Sequence, residues 1–157
     1  MLLLFLATGA LAAPGVGTTP MAHVYISGSA IAVNCAVQGT YYEIPAWTVG
    51  TEWNVDGQTD GDIVATYAGT YLLKAFVKVD AVNAHEYEFC GFVDGQEIKS
   101  MEGGFLGETG THHSISSTAC ITSCAAGAVF DLRIADETGT GSINVQHAQF
   151  SAVRIGP

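Results

Sequence analysis

Tyr71-Leu72-Leu73-Lys74-Ala75-Phe76-Val77-Lys78-Val79 decides the fold class. Tyr71, Leu73, Ala75, Val77 and Val79 alternate with Leu72, Lys74, Phe76 and Lys78. A period of two is the signature of a strand, because successive side chains leave opposite faces. One face of this strand is wholly apolar and the other mixes apolar and cationic residues, so one side is buried and the other partly wet.

The same pattern recurs on both sides of the run. Downstream, Tyr87 to Val93 is read as its neighbour, after a turn around Asn83. Asp94-Gly95 then makes a tight turn into Gln96 to Lys99. Ser114 to Ile121, Ala128 to Ala135 and Ser142 to Ile155 follow as strands, and the Gly-rich stretch 102–111 is read as a mobile loop. Upstream, His23 to Ile26 and Ile31 to Val37 flank the turn Ser27-Gly28-Ser29. Tyr41 to Trp47 is a run that Pro45 confines to an edge or a strand end, and Glu52 to Asp62 is a polar loop. No long amphipathic helix and no internal repeat is present. About eight short strands make an all-β jelly roll, two sheets packed about 10 Å apart around one core.

Composition narrows the function classes. The chain has 157 residues, enough for one domain at 21–157 behind a segment 1–20. Only 13% of its residues are charged, against about 25% in ordinary domains. A chain so poor in charge is expected to bury surface against copies of itself or a partner. Five Lys and Arg face fifteen Asp and Glu, a formal net charge of -10. Five scattered cations do not build a phosphate-tracking groove, so nucleic acid is not an expected partner. Acidity of this size supplies solubility and suits display on the outside of a larger particle.

Residues 1–20 combine an apolar stretch with the Gly/Pro linker Pro14 to Pro20. Ala10-x-Ala12 is the kind of site a secretory signal carries, but the basic n-region is missing. The stretch is also shorter than the roughly 20 apolar residues of a membrane span. It is read as a hydrophobic anchoring arm carrying Leu2, Leu3, Leu4, Phe5, Leu6 and Leu11, with a cleaved signal as the alternative. Such an arm is costly in water and is expected to dock on a partner.

Few residues form a pattern that chemistry needs. Cys35, Cys90, Cys120 and Cys124 are read as free and mostly buried thiols, with two disulfides as the alternative. Cys35 belongs to the apolar alternation Ile31, Val33, Cys35, Val37. Asp56, Asp60 and Asp62, with Glu52, are weak calcium candidates whose spacing departs from the known calcium loop, and no resident metal or cofactor is expected. His112 and His113 are adjacent and so point to opposite faces of a strand, which makes a zinc site with His147 unexpected. Ser and His are present without the Gly-x-Ser-x-Gly elbow, and an enzyme is the least supported class. Tyr67, Tyr71, Phe76 and Phe150 are assigned to a core or a subunit seam, and Trp47 to the core. Trp53, Tyr41 and Tyr42 are assigned to a receptor or partner contact.

An ordered set of pieces resembles one family, the tumour necrosis factor-like jelly rolls, which include the globular heads of complement proteins. Ala68-Gly69-Thr70-Tyr71-Leu72-Leu73 resembles the family's aGxYxv strand start, and Phe92-Val93-Asp94-Gly95 its strand ending in a turn. Ser114 to Thr118, Ala126 to Leu132 and Ala148 to Ile155 resemble later pieces in the same order. Ala128 stands where the family usually has Asp, which puts any contact made by that Asp in doubt. The resemblance covers about residues 60–157 and reaches bacteriophage virion proteins. It implies a homotrimer whose inner sheets meet around a threefold axis. The expected function is therefore a virion decoration protein held on capsid proteins by its arm. A fibre tip binding a host surface receptor and a secreted ligand-binding module are the alternatives.

Overall fold

The computed structural model describes residues 19–80, 85–106 and 113–157. The arm residues Leu2, Leu3, Leu4, Phe5, Leu6 and Leu11 lie outside that set, as does His112. In chain order the first strands are β1 (Met21–Ile26), β2 (Ile31–Cys35), β3 (Tyr42–Glu43), β4 (Thr48–Trp53), β5 (Asp56–Gly57) and β6 (Ile63–Val64). They are followed by β7 (Gly69–Asp80), β8 (Glu86–Val93), β9 (Gln96–Leu106), β10 (His113–Cys124), β11 (Val129–Asp136) and β12 (Gly141–Gly156).

Two antiparallel sheets result. The first runs β10-β7-β12-β1-β4 with β2 also on β12, and the second runs β5-β6-β11-β8-β9 with β3 also on β11. They pack face to face as a jelly-roll sandwich. The alternation that opened the sequence holds along β7, where Tyr71, Leu73, Ala75, Val77 and Val79 are all buried. Across from them β12 turns Val145, Ala148, Phe150 and Ala152 inward. Phe89, Phe130 and Ile134 come from the second sheet. Each such side chain contributes roughly 1.5–3 kcal/mol by leaving water. Tyr71 also packs against Phe130 at 5.3 Å and donates its hydroxyl to the Tyr67 carbonyl at 2.8 Å, so its polar end is satisfied.

Three sequence readings are corrected by the pairing. Tyr87–Val93 is not the neighbour of β7; β8 joins β9 and β11 in the other sheet, while β7 lies between β10 and β12. Both strands are rich in apolar residues, and apolar content alone does not say which sheet a strand enters. The polar loop Glu52 to Asp62 contains the end of β4 and all of β5, with Glu52 opposite Ala22. Residues 102–106 of the supposed mobile loop belong to β9. Gly103 serves close packing: a Cβ there would stand 2.5 Å from the Phe89 ring. The Asp94-Gly95 turn is as read, with both residues at positive φ (49° and 73°), the geometry that lets a two-residue hairpin follow the strand twist.

Two outer faces as candidate binding surfaces

Each sheet has one face in the core and one turned away from it. On the first sheet the register lays the outward residues in rows across the strands. The first row is Trp53, Met21, Val153, Leu72 and Ile121, on β4, β1, β12, β7 and β10. All five are apolar, and the ends of the row stand well out of the surface, Trp53 at 52% and Ile121 at 63% exposure. The second row is His23, Ser151, Lys74 and Ala119, and the third is Tyr25, Gln149, Phe76 and Ser117. His147, Lys78 and Ile115 make the fourth. None of the four rows holds a carboxylate, in a chain with fifteen of them. Asp80, at the margin of the face, is bonded by the Gln146 amide.

The second row is low where two of its members, Ala119 and Ser151, are small. Ala119 and Ser151 flank Lys74, while the bulkier rows rise on either side. A depression of about 450 Å³ results, lined by His23, Lys74, Phe76, Ser117, Gln149 and Ser151 among others. His23 stacks on Tyr25 at 5.4 Å and lies against Gly50, where a Cβ would come within 2.5 Å of its Nδ1. Gly50 is thus the residue that gives the imidazole its place.

The outward face of the second sheet is built differently. Arg133 sits 4.5 Å over the Phe92 ring and donates to both oxygens of Asp131, at 2.6 and 3.0 Å, with Glu43 at 3.4 Å. Tyr41 donates to Glu88 at 3.0 Å and meets Phe92 edge to face. Beside them Cys90, Glu97 and Glu102 bring a thiol and two carboxylates within 4.8 Å of one another. Burial first, then the charges of Glu97 and Glu102, pushes the Cys90 thiol up to about 12. The Glu102 carboxyl is raised by its hydrogen bond with Glu97. The thiol is therefore neutral and inert at pH 7.

The other residues singled out in the sequence separate in the same way. Tyr71 and Phe150 are core, Phe76 is on the outward face of the first sheet, and Tyr67 is exposed under the Arg154 guanidinium. Trp47 is buried and bonds the Ile44 carbonyl. Trp53 ends the apolar row; Tyr41 lies on the second sheet's face, and the half-buried Tyr42 accepts the Val37 N–H at 2.9 Å. Asp56, Asp60 and Asp62 do not form a shared ligand set among the described residues. Asp56 accepts from Gln58 and Asp60 from the Asp62 backbone, while Glu52 accepts from Gly57. Burial and then Asp60 raise Asp62 from 3.8 to about 6. His113 opens β10 and His147 sits on the first sheet. All four cysteines are free. His85 and the buried Asp136 meet at 2.7 Å, but Asp136 also accepts from the Thr138 and Gly139 amides, so the pair ties β8 to the β11–β12 turn.

Sequence reasoning missed His23, Lys74, Val153, Ile121, Arg133 and Phe92. Alternation gives each of them a face, but only the register shows which of them are neighbours. Among the described residues no helix is long and apolar enough to cross a membrane.

No family model matches the chain, and no curated protein matches it by sequence. Solved structures do. The chain is similar to the Eiger TNF of S. frugiperda (11% identity, TM-score 0.66, covering 88% of this chain and 94% of that one). It is similar to the globular domain of zebrafish complement 1qA (11%, 0.63, 87% and 97%). It is also similar to murine APRIL at pH 5.0 (12%, 0.55, 87% and 99%). At these identities the likeness is one of fold: the chain is built on the jelly roll of tumour necrosis factors and complement globular heads.

Proposed function

We propose that this chain is a non-enzymatic assembly and binding module. In a trimer, the outward face of each copy's first sheet packs against a different surface of the next copy, and the trimer decorates the surface of a virion. The observation that carries the reading is the run of four rows without a carboxylate, one of them an apolar row of five residues with exposed ends. Left in water, such a patch favours association; covered by the next copy, it becomes the centre of an interface. The threefold number comes from the family resemblance, as does the virion setting. The acidic second sheet then faces outward, where its charge keeps particles apart.

In this reading Trp53 belongs to the seam, and Tyr41 is the aromatic residue left on the displayed side. Capsid proteins are the partner of the arm at Leu2 to Leu11. The test compares particles carrying the full chain with particles carrying a chain that lacks residues 1–13. Loss of occupancy by the shortened chain, with its trimer intact, is the expected result. Normal occupancy would refute the anchoring role.

A further inference from the structure

We propose that the depression around Lys74 is a socket for a carboxylate side chain from a second copy of this chain. This deepens the assembly described above and rests on it. Among Ala75, Phe76 and Ala119, the polar groups lining the depression are of one chemical kind. Lys74 brings an ammonium, Ser117 and Ser151 bring hydroxyls, Gln149 an amide, and His23 a ring N–H. All can donate hydrogen bonds, and no carboxylate is among them. A cation ringed by donors recognises an anion through charge-assisted hydrogen bonds.

Lys74 has no ion-pair partner among the described residues. The acid nearest along its own strand is Asp80, six residues on and roughly 20 Å away at about 3.3 Å per residue. Other charged or titratable groups facing the depression are His23 on β1, with Lys78 one row beyond Phe76 on β7; both add positive charge or none. When the face is covered, Lys74 loses water and requires a counter-charge, because a buried unpaired ion is strongly destabilising. Around a threefold axis this face meets a different surface of the next copy, and that copy carries fifteen acids against five bases, so the chain supplies its own complement. Shape agrees with charge: Ala119 and Ser151 leave the room into which a Glu or Asp side chain fits.

The test is sedimentation velocity of the full chain over a concentration series, at about 50 mM and about 500 mM salt, where screening lengths differ severalfold. Wild type is expected to associate, and to do so less tightly at high salt. Lys74→Met keeps the stem and removes the charge at an exposed position, so the fold should survive. It should weaken association about tenfold or more and flatten the salt response. Ala119→Leu is the second variant, since it fills the socket with apolar surface. A carboxylate socket requires it to weaken association, whereas a merely greasy seam would be tightened. Unchanged affinity and salt response in Lys74→Met, or tighter association in Ala119→Leu, overturns the socket and leaves the seam standing. Association that salt strengthens in wild type but not in Lys74→Met would assign the socket to a free anion and overturn the second-copy carboxylate. A wild type that stays monomeric throughout overturns the seam, and the socket falls with it.

Discussion

The two outer faces of the sandwich come from the same kind of strand, yet they keep their polar groups in opposite conditions. On the second sheet Arg133, Asp131, Glu43, Tyr41 and Glu88 satisfy one another, and Phe92 is roofed by a guanidinium. On the first, Lys74 has no ion-pair partner among the described residues, and Trp53, Met21, Val153, Leu72 and Ile121 lie in an apolar row whose two ends are exposed. A surface whose groups already bond one another gains little from a partner. One that keeps apolar area and a lone cation open gains on both counts. That difference is why we propose the first face for assembly and the second for display.

The largest expected effect breaks the contrast at the apolar row. Val153→Glu places a charge at the middle of the row, and burying it unpaired costs about 3–5 kcal/mol per subunit. Association should fall at least 100-fold in sedimentation, while the thermal midpoint of the isolated subunit moves little. Glu97→Gln on the other face serves as the control and should leave association unchanged.

The next effect lies on the satisfied side. Arg133→Ala strips the partner from Asp131, which is only 6% exposed, and uncovers Phe92. A loss of about 1–3 kcal/mol in urea unfolding is expected, without a change in oligomeric state. A change in assembly with no loss of stability would reverse the roles of the two faces. Tyr41→Phe removes the single bond to Glu88 and should cost about 0.5–1.5 kcal/mol by the same measurement.

The smallest effect is in pH. Asp62 binds its proton up to about pH 6 in the folded chain, from an ordinary 3.8, because of burial and then Asp60, Asp131 and Glu43. Between those values the folded state holds more protons than the unfolded one. The stability this group contributes is therefore full below pH 3.8 and lost as pH rises through 6. Asp62→Asn should flatten that part of the curve of stability against pH; an unaltered slope would mean that Asp62 is not held in this environment.

Much of the fold was legible because β7 obeys its alternation and because turns such as Asp94-Gly95 have few alternatives. The sheet that β8 joins was not, since two strands of similar apolar content carry no record of their partners. Gly103 read as loop because a glycine is a breaker in isolation; its real reason, room for the Phe89 ring, exists only once the strands are paired. The candidate faces were half legible. Phe76 and Trp53 were singled out as aromatic residues, but Lys74 and Val153 acquire meaning only from the register that sets them beside Ala119, Ser151, Met21 and Leu72.

The most direct measurement is the native mass of the full chain in solution, by sedimentation equilibrium at micromolar concentration and moderate salt. The proposed trimer, with its seam on the first sheet's outward face, requires a species three times the 16.3 kDa chain, reduced to single chains by Val153→Glu. A wild-type chain that remains a 16.3 kDa monomer at every concentration would contradict it.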